Sequence, residues 1–218
     1  MDNKRRVGKV SVFMYTSTFF IAFGANLPSF VGSPAQSIVT AMDFLRSEAL
    51  NLKAISRFYR SPAFPAGSGP DYVNGCAVFE ATLPAEATLA ALHRVEARLG
   101  RVREKRWGAR GIDLDLIAVG QTILPDPQAQ AHWRGLPLEQ QMTEAPDQLI
   151  LPHPRLADRA FVLIPLAEIA PLWRHPATGK TVQEMVQSLD PAEKAALVPF
   201  SAPFGGVGGL SSPDQATK

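Results

Sequence analysis

Six short segments, alternating between strand-like and helix-like patterns, constrain the fold of this chain more than any other feature. Four of them have the apolar, β-branched and aromatic content typical of strands: residues 19–24, 52–60, 72–81 and 112–119. Ser33, Pro34 and Gln36 form a helix start signal after the first strand. A second helix should begin at Pro84 and end at Gly100, a residue type that favours a left-handed C-cap. The order strand, helix, strand, strand, helix, strand predicts an α+β protein with a ferredoxin-like βαββαβ core, an antiparallel sheet and both helices on one face.

The C-terminal part of the chain should add helices to this core. Residues 160–169 should form a short helix that ends before Pro171, and residues 181–189 are predicted to form another. Residues 125–149 contain four prolines and many glutamines, so we predict an inserted surface loop there. The expected organisation is an N-terminal extension at 1–15, one domain at 16–195 and a flexible, glycine-rich tail at 196–218.

The N-terminus has some features of a secretory signal peptide, because four basic residues surround the start of a mostly apolar run that ends at Ala25. Phe23 would stand at the −3 position of a cleavage after Ala25, where a small residue is required. A Thr-Ser-Thr run at 16–18 interrupts the apolar segment and disfavours a membrane span. We therefore expect a dispensable extension at the N-terminus, and a protein without a membrane partner.

Composition narrows the class of protein and its compartment. The chain is 46% hydrophobic and 19% charged, which is typical of a folded globular domain and not of a disordered one. A net charge of +2 is too small to indicate a nucleic-acid partner by bulk charge. Cys76 is the only cysteine, so no internal disulfide can form, and we expect a reducing, cytoplasmic location.

Asp113 and Asp115 are the strongest chemical signal in the chain. On a strand, residues two apart point to one face, so the two carboxylates should lie side by side and require a cation such as Mg²⁺. Four arginines precede them, and guanidinium groups bind phosphate oxygens: Arg101, Arg103, Arg106 and Arg110. The pattern indicates a nucleotide phosphate held between metal and arginine. From the residues alone, a solvated face or an ion pair with Arg110 explains the aspartates equally well.

Eight separated motifs between about residue 20 and residue 171 point together to one family. They lie at residues 23–27, 59–62, 70–74, 100–103, 106–115, 151–155, 159–163 and 165–171. The ordered set resembles the 6-hydroxymethyl-7,8-dihydropterin pyrophosphokinase family, folate-pathway enzymes that move a diphosphoryl group from ATP to a pterin alcohol. The chain departs from the family at Ala25, Ala109 and Gly111, where Ser, Pro and Thr are usual, and its 125–149 segment is longer.

The resemblance implies a role for each matching residue. Four are expected to be catalytic, the two aspartates as ligands of two Mg²⁺ ions: Arg101, Arg110, Asp113 and Asp115. Seven are expected to contact ATP, with the tryptophan in a lid: Glu96, Arg103, Arg106, Trp107, Ile112, His153 and Arg159. Six are expected to bind the pterin: Ser61, Pro62, Phe64, Tyr72, Asn74 and Phe161. Gly24 is interpreted as part of a plain turn, and a monomer is expected.

Three other functions fit parts of the same sequence. One is a different Mg²⁺-dependent phosphotransferase with an unrelated acceptor. Another is a non-enzymatic ferredoxin-like module that binds RNA by stacking bases on Phe58 and Phe79, although no ribonucleoprotein-type aromatic motif is visible. The last is an inactive family member kept for assembly with another folate enzyme, against which the intact aspartates, arginines and His153 argue.

Overall fold

The structure, a computed structural model, describes residues 15–63, 67, 69–101 and 111–200, with the backbone alone at 138, 141 and 142. Several predicted features lie outside the described residues: the extension before residue 15, the tail from residue 201, Phe64, Arg103, Arg106, Trp107 and Arg110. The division into an extension, one domain and a tail stays a prediction.

A six-stranded antiparallel sheet forms the centre of the protein. Its strands are β1 (Ser17–Ala25), β2 (Asn51–Ile55), β3 (Phe58–Ser61), β4 (Tyr72–Ala81), β5 (Asp113–Val119) and β6 (Val198–Phe200). β1 pairs along its whole length with β4 and, on its other side, with β5. β2 and β3 both pair with β4, and β6 pairs with β3 at the edge. Within each strand, consecutive side chains point to opposite faces of this sheet.

Helices cover both faces of the sheet. They are α1 (Pro34–Ser47), α2 (Ala85–Arg98), α3 (Pro127–Gly135), α4 (Leu138–Thr143), α5 (Ala160–Ile169), α6 (Val182–Gln187) and α7 (Pro191–Ala195). Phe19, Ile21 and Phe23 of β1 pack in a core cluster with α1 and α2, whereas Phe20 and Ala22 pack in a second cluster with α5 and α6. The helices α1 and α2 therefore share one face, as predicted. No helix in the described part of the chain is both long and apolar enough to span a bilayer.

Local signals placed the first helices correctly. Ser33 and Gln36 form the expected capping box, in which the Ser33 N–H donates to Gln36 Oε1 at 2.7 Å and the Gln36 N–H donates to Ser33 Oγ. α2 follows Pro84, and Gly100 adopts a φ of +85°, a conformation that glycine adopts without strain. These features depend on neighbours in sequence, which is why the sequence alone indicates them.

Two predictions of secondary structure were wrong. The strand expected over 52–60 is interrupted after residue 55 and forms two strands, β2 and β3. At the interruption, the Cys76 N–H donates to the Ser56 hydroxyl oxygen at 3.0 Å. Residues 125–149 are not simply a loop, because they contain α3 and α4. Asp126 caps α3 by accepting two backbone N–H groups at 2.9 Å, and Pro127 occupies the first turn, where proline favours a helix.

The aromatic side chains required for RNA stacking are not on an open sheet face. Phe58 is 7% exposed and Phe79 is fully buried, and both belong to the cluster beneath α1 and α2. Base stacking needs an exposed ring. The RNA-binding alternative therefore loses its only candidate residues.

Candidate active site

Gly24 lies at the centre of a row of residues that crosses three neighbouring strands. It is inside β1, where it is the cross-strand partner of Asn74 on β4 and of Asp113 on β5, so its interpretation as part of a turn was wrong. A Cβ atom at Gly24 would lie 3.0 Å from Asn74 Oδ1 and 3.8 Å from the Tyr72 ring. The missing side chain therefore leaves the sheet open between Asn74 and Asp113, whose Cα atoms are about 10 Å apart from strand spacing.

Asp113 and Asp115 point away from α1 and α2. They alternate along β5 with Leu114 and Leu116, which are buried in the cluster on the α1 side. The two aspartates therefore lie on the face that carries α5, together with the Gly24 row, and their side chains are 26% and 39% exposed. This is the shared face that the i, i+2 spacing predicted.

Two arginines approach the aspartates from opposite directions. Arg101 Nη1 lies 2.7 Å from Asp113 Oδ1, and Arg159 Nη1 lies 3.8 Å from Asp115 Oδ2. No group of three or more His, Cys, Asp or Glu side chains suited to a metal ion occurs in the described part of the chain. Two partly exposed carboxylates are nevertheless a ligand set that suits Mg²⁺, which retains water and takes phosphate oxygens as its other ligands. The residues present fit such an ion.

Glu96 of α2 forms an ion pair with Arg101. Its side chain is 1% exposed, and Oε1 accepts the Leu114 N–H at 2.8 Å as well as a contact from Arg101 Nη1. Burial raises the pKa of the Glu96 carboxyl to about 7, against the opposing effects of the Leu114 N–H and Arg101. Arg101 thus bridges a buried carboxyl and the exposed Asp113. Ile112 is fully buried in the α1-side cluster, so only its main chain could reach a ligand.

His153 is held as a neutral hydrogen-bond donor. Its backbone N–H donates to the Ile117 carbonyl at 2.8 Å, and its Nδ1 accepts the Arg155 N–H at 3.1 Å. Nδ1 is therefore the acceptor nitrogen, which leaves the proton on Nε2. Burial, followed by the charges of Arg159 and Arg155, lowers the pKa of His153 to about 3. The ring can donate a hydrogen bond from Nε2 without carrying a charge at neutral pH.

Three of the residues expected to bind the pterin, Ser61, Tyr72 and Asn74, lie on β3 and β4, on the other side of Gly24 from β5. Asn74 is 5% exposed, and its Nδ2 donates to Ser61 Oγ at 2.8 Å, which leaves Oδ1 beside Gly24. Tyr72 is partly buried and Phe161, at the start of α5, is 38% exposed. Pro62 is exposed. A site for a flat heterocycle requires an amide that hydrogen-bonds to the edge of the ring and accessible aromatic side chains that stack on its faces.

Two contacts connect the residues expected to bind the pterin to the rest of the fold. Asn26 Nδ2 donates to the Pro70 carbonyl at 3.1 Å and so fixes the loop that leads to Tyr72. The guanidinium carbon of Arg159 lies 5.6 Å from the centre of the Phe161 ring. Through Arg159, the start of α5 contacts both Asp115 and Phe161. The structure thereby connects residues expected to bind ATP with one expected to bind the pterin.

A polar cluster that the sequence did not indicate is formed by Glu168, Arg57 and Tyr59. Glu168 accepts the Arg57 backbone N–H at 2.9 Å, the Arg57 Nε–H at 2.7 Å and the Tyr59 hydroxyl. Burial would raise the pKa of Glu168, but the hydrogen bonds from Arg57 and Tyr59 lower it. Tyr59 is the cross-strand partner of Asn74, so the cluster ties the end of α5 to the strand beside Asn74. No local sequence signal identifies partners so distant in the chain.

Comparison with known proteins shows similarity to one family. A model of the 7,8-dihydro-6-hydroxymethylpterin-pyrophosphokinase (HPPK) family matches residues 20–171. The 2-amino-4-hydroxy-6-hydroxymethyldihydropteridine pyrophosphokinase of Synechocystis sp. is 36% identical over 166 residues, which are 76% of this chain and 72% of that protein. The protein of the same name from Pseudomonas aeruginosa is 33% identical over 168 residues, which are 77% of this chain and 88% of that protein.

A solved structure shares the fold. The crystal structure of wild-type Plasmodium falciparum HPPK-DHPS matches with a TM-score of 0.57 at 11% sequence identity. The match covers 80% of this chain and 45% of that chain, so the present chain spans less than half the length of that protein.

Proposed function

Because the chain belongs to the 7,8-dihydro-6-hydroxymethylpterin-pyrophosphokinase family, we propose that the cleft around Gly24 is its active site. The protein transfers diphosphate from ATP to the hydroxymethyl group of 6-hydroxymethyl-7,8-dihydropterin and releases AMP, a step of folate biosynthesis. One observation supports this location above all: Asn74, Gly24 and Asp113 form a row across three strands. The Asn74 amide, which can hydrogen-bond to a pterin edge, therefore faces the same opening as the carboxylate pair.

Asp113 and Asp115 are the proposed ligands of Mg²⁺, and two ions are proposed from the family resemblance. When bound, magnesium would neutralise phosphate charge and align the attacked phosphorus for in-line displacement. Their partial exposure supports this assignment, because the carboxylate oxygens can reach a ligand in the cleft. Arg101 and Arg159 limit the repulsion between the two carboxylates and ATP.

Arginine and histidine side chains supply the remaining electrostatic stabilisation in this proposal. Arg101 and Arg159 donate to phosphate oxygens, and His153 donates from the neutral Nε2. Glu96 acts by holding Arg101 in place. The proposal keeps five further residues in the nucleotide site, of which four lie outside the described residues: Arg103, Arg106, Trp107, Arg110 and Ile112.

The pterin is proposed to lie between Tyr72 and Phe161, with Asn74 hydrogen-bonded to its edge. Ser61 orients the Asn74 amide. Pro62 and Phe64, the latter outside the described residues, are kept in the pterin site from the family resemblance. The pterin hydroxymethyl oxygen then attacks the β-phosphorus of ATP directly and releases its hydroxyl proton to solvent. The bond from that phosphorus to the α,β-bridging oxygen breaks, and AMP leaves. Cys76 is no competing nucleophile, because burial raises the pKa of its thiol and Sγ lies 3.4 Å from the Val162 carbonyl. Positioning and electrostatics account for the rate.

The finer structural assignments belong to this proposal as well. The strand order β5-β1-β4 with β2 and β3 beyond β4 supports a ferredoxin-like core. The helices after β5 are then C-terminal additions that cover the second face. A cytoplasmic location and a monomeric state stay predictions.

The proposal is tested by measuring AMP release from ATP with Mg²⁺ in the presence of different alcohols. AMP should form with 6-hydroxymethyl-7,8-dihydropterin and not with unrelated alcohols of similar size. AMP formation with an unrelated alcohol alone would favour a different phosphotransferase. No AMP with any acceptor, from protein that still binds the pterin, would favour an inactive family member.

A further inference from the structure

Gln130 is the one buried side chain of α3. Among the nine residues of α3, all of them described, Gln130 alone is buried, and its exposed fraction is 0%. A glutamine is seldom fully buried unless a hydrogen bond compensates for the loss of water. Gln130 Nε2 donates to the Pro152 carbonyl oxygen at 3.1 Å. This contact connects α3 to the turn that carries His153.

The Pro152–His153 peptide group is held at both of its ends. Its carbonyl accepts from Gln130 Nε2, and its N–H donates to the Ile117 carbonyl of β5 at 2.8 Å. A peptide group is planar, so two hydrogen bonds at opposite ends fix its rotation about the chain. Proline has no N–H, which makes the carbonyl the only backbone group of Pro152 that can be held by a hydrogen bond.

Further contacts surround this peptide. Leu124 and Leu151 exchange two backbone hydrogen bonds, of 2.9 and 3.1 Å, and so place the start of α3 beside the turn. The His153 Nδ1 accepts the Arg155 N–H, which leaves Nε2 as the nitrogen that faces a ligand. The His153 Cα belongs to this peptide group, so a displacement of the peptide would also displace the imidazole. The direction of the Nε2–H bond therefore depends on the peptide plane that Gln130 holds.

We infer that Gln130 is a positioning residue that fixes the Pro152–His153 peptide and thereby aims the His153 Nε2–H at the nucleotide phosphates. This gives α3, within the 125–149 segment, a function: it holds the turn at Pro152 and His153 from the side opposite β5. The inference rests on the proposed function, because it takes His153 to contact ATP. Gln130 itself does not touch the substrates.

Substitution of Gln130 should affect ATP and the pterin unequally. Gln130→Leu replaces the amide with an apolar side chain that has no donor, so the KM for ATP should rise by about three- to tenfold, the range expected for one misdirected hydrogen bond. The KM for the pterin should stay within about twofold. Gln128→Leu is the matched control, because Gln128 is exposed on the same helix. A residue that only packs α3 would alter both constants alike, and that result, or no change, would overturn the inference.

A double-mutant cycle tests the dependence on His153. On a His153→Ala background, Gln130→Leu should raise the KM for ATP by less than about twofold further, because the two residues act on one contact. An undiminished effect would show that Gln130 acts by another route. Gln130→Met, which also fills the space without donating, repeats the test. If both Gln130 variants fail to unfold cooperatively, Gln130 is a core residue and the inference is wrong.

A measurement without turnover separates this inference from the proposed function. Nitrogen NMR of the His153 ring should show protonated Nε2 in the wild-type protein and in Gln128→Leu. In Gln130→Leu the chemical shifts of the ring nitrogens should move, because a displaced peptide changes the contact between the His153 ring and the Arg155 N–H. A wild-type protein that forms no AMP would refute the proposed function, whereas an unchanged His153 spectrum in Gln130→Leu would refute the positioning role.

Discussion

Replacing Glu96 by glutamine should remove a large pH dependence of stability. Glu96 is 1% exposed, and burial raises its pKa from an ordinary value of 4.5 to about 7. At about 1.4 kcal/mol per pKa unit, this rise corresponds to about 3 kcal/mol of unfolding free energy. Glutamine keeps an oxygen that can accept the Leu114 N–H, so Glu96→Gln removes the titration and preserves that hydrogen bond.

The sign of the effect follows from proton binding. Between pH 4.5 and about 7, folded protein holds the Glu96 proton that unfolded protein has lost, so the wild type loses stability as the pH rises. Urea unfolding of both proteins at intervals from pH 4.5 to pH 8 measures the difference. The stability of Glu96→Gln relative to wild type should increase with pH by about 3 kcal/mol and level off above pH 7.

Parallel stability curves of wild type and Glu96→Gln would refute this reasoning, and so would a difference that grows as the pH falls. Glu86→Gln serves as the control, because Glu86 is exposed in the first turn of the same helix. That variant should follow the wild-type curve within about 0.5 kcal/mol at every pH.

Three further predictions concern Gly24, Glu168 and His153. Gly24→Ala should raise the KM for the pterin about five- to tenfold in steady-state assays, because its Cβ would displace the Asn74 amide; equal effects on ATP would contradict this. Glu168→Leu should lower the unfolding free energy by about 1–3 kcal/mol in urea titrations, since the buried Tyr59 hydroxyl loses its acceptor; unchanged stability would contradict it. Because the pKa of His153 is lowered from 6.5 to about 3, unfolded protein binds its proton more tightly, and wild type should lose stability relative to His153→Gln as the pH falls below 6.5. Unfolding curves that stay parallel over this range would show that folding does not lower the pKa of the imidazole.

The sequence predicted features that depend on short spacing. The shared face of Asp113 and Asp115 follows from the two-residue period of a strand, and the start of α1 follows from the Ser33–Gln36 capping box. The prolines and glutamines of residues 125–149 predict a loop, but Pro127 follows the N-cap Asp126 and occupies the first turn of α3.

Features that depend on strand register could not be predicted in the same way. The position of Gly24 between Asn74 and Asp113 is set by the pairing of three strands that are far apart in the chain. Glu168 meets Tyr59 across 109 residues, and Gln130 meets Pro152 across 22 residues with no regular period between them. Periodicity indicates which face a side chain occupies, but not which side chain of another element it meets.

The central claim, that the carboxylates of β5 hold magnesium where ATP meets the pterin, is tested most directly by the turnover of Asp115→Ala. Pterin-dependent AMP release should fall by at least about 100-fold, the scale for loss of one group that stabilises the transition state, while the pterin still binds. Asp147→Ala, at an exposed aspartate in the 125–149 segment, should retain wild-type turnover. Full turnover of Asp115→Ala at saturating Mg²⁺ and ATP would contradict the account.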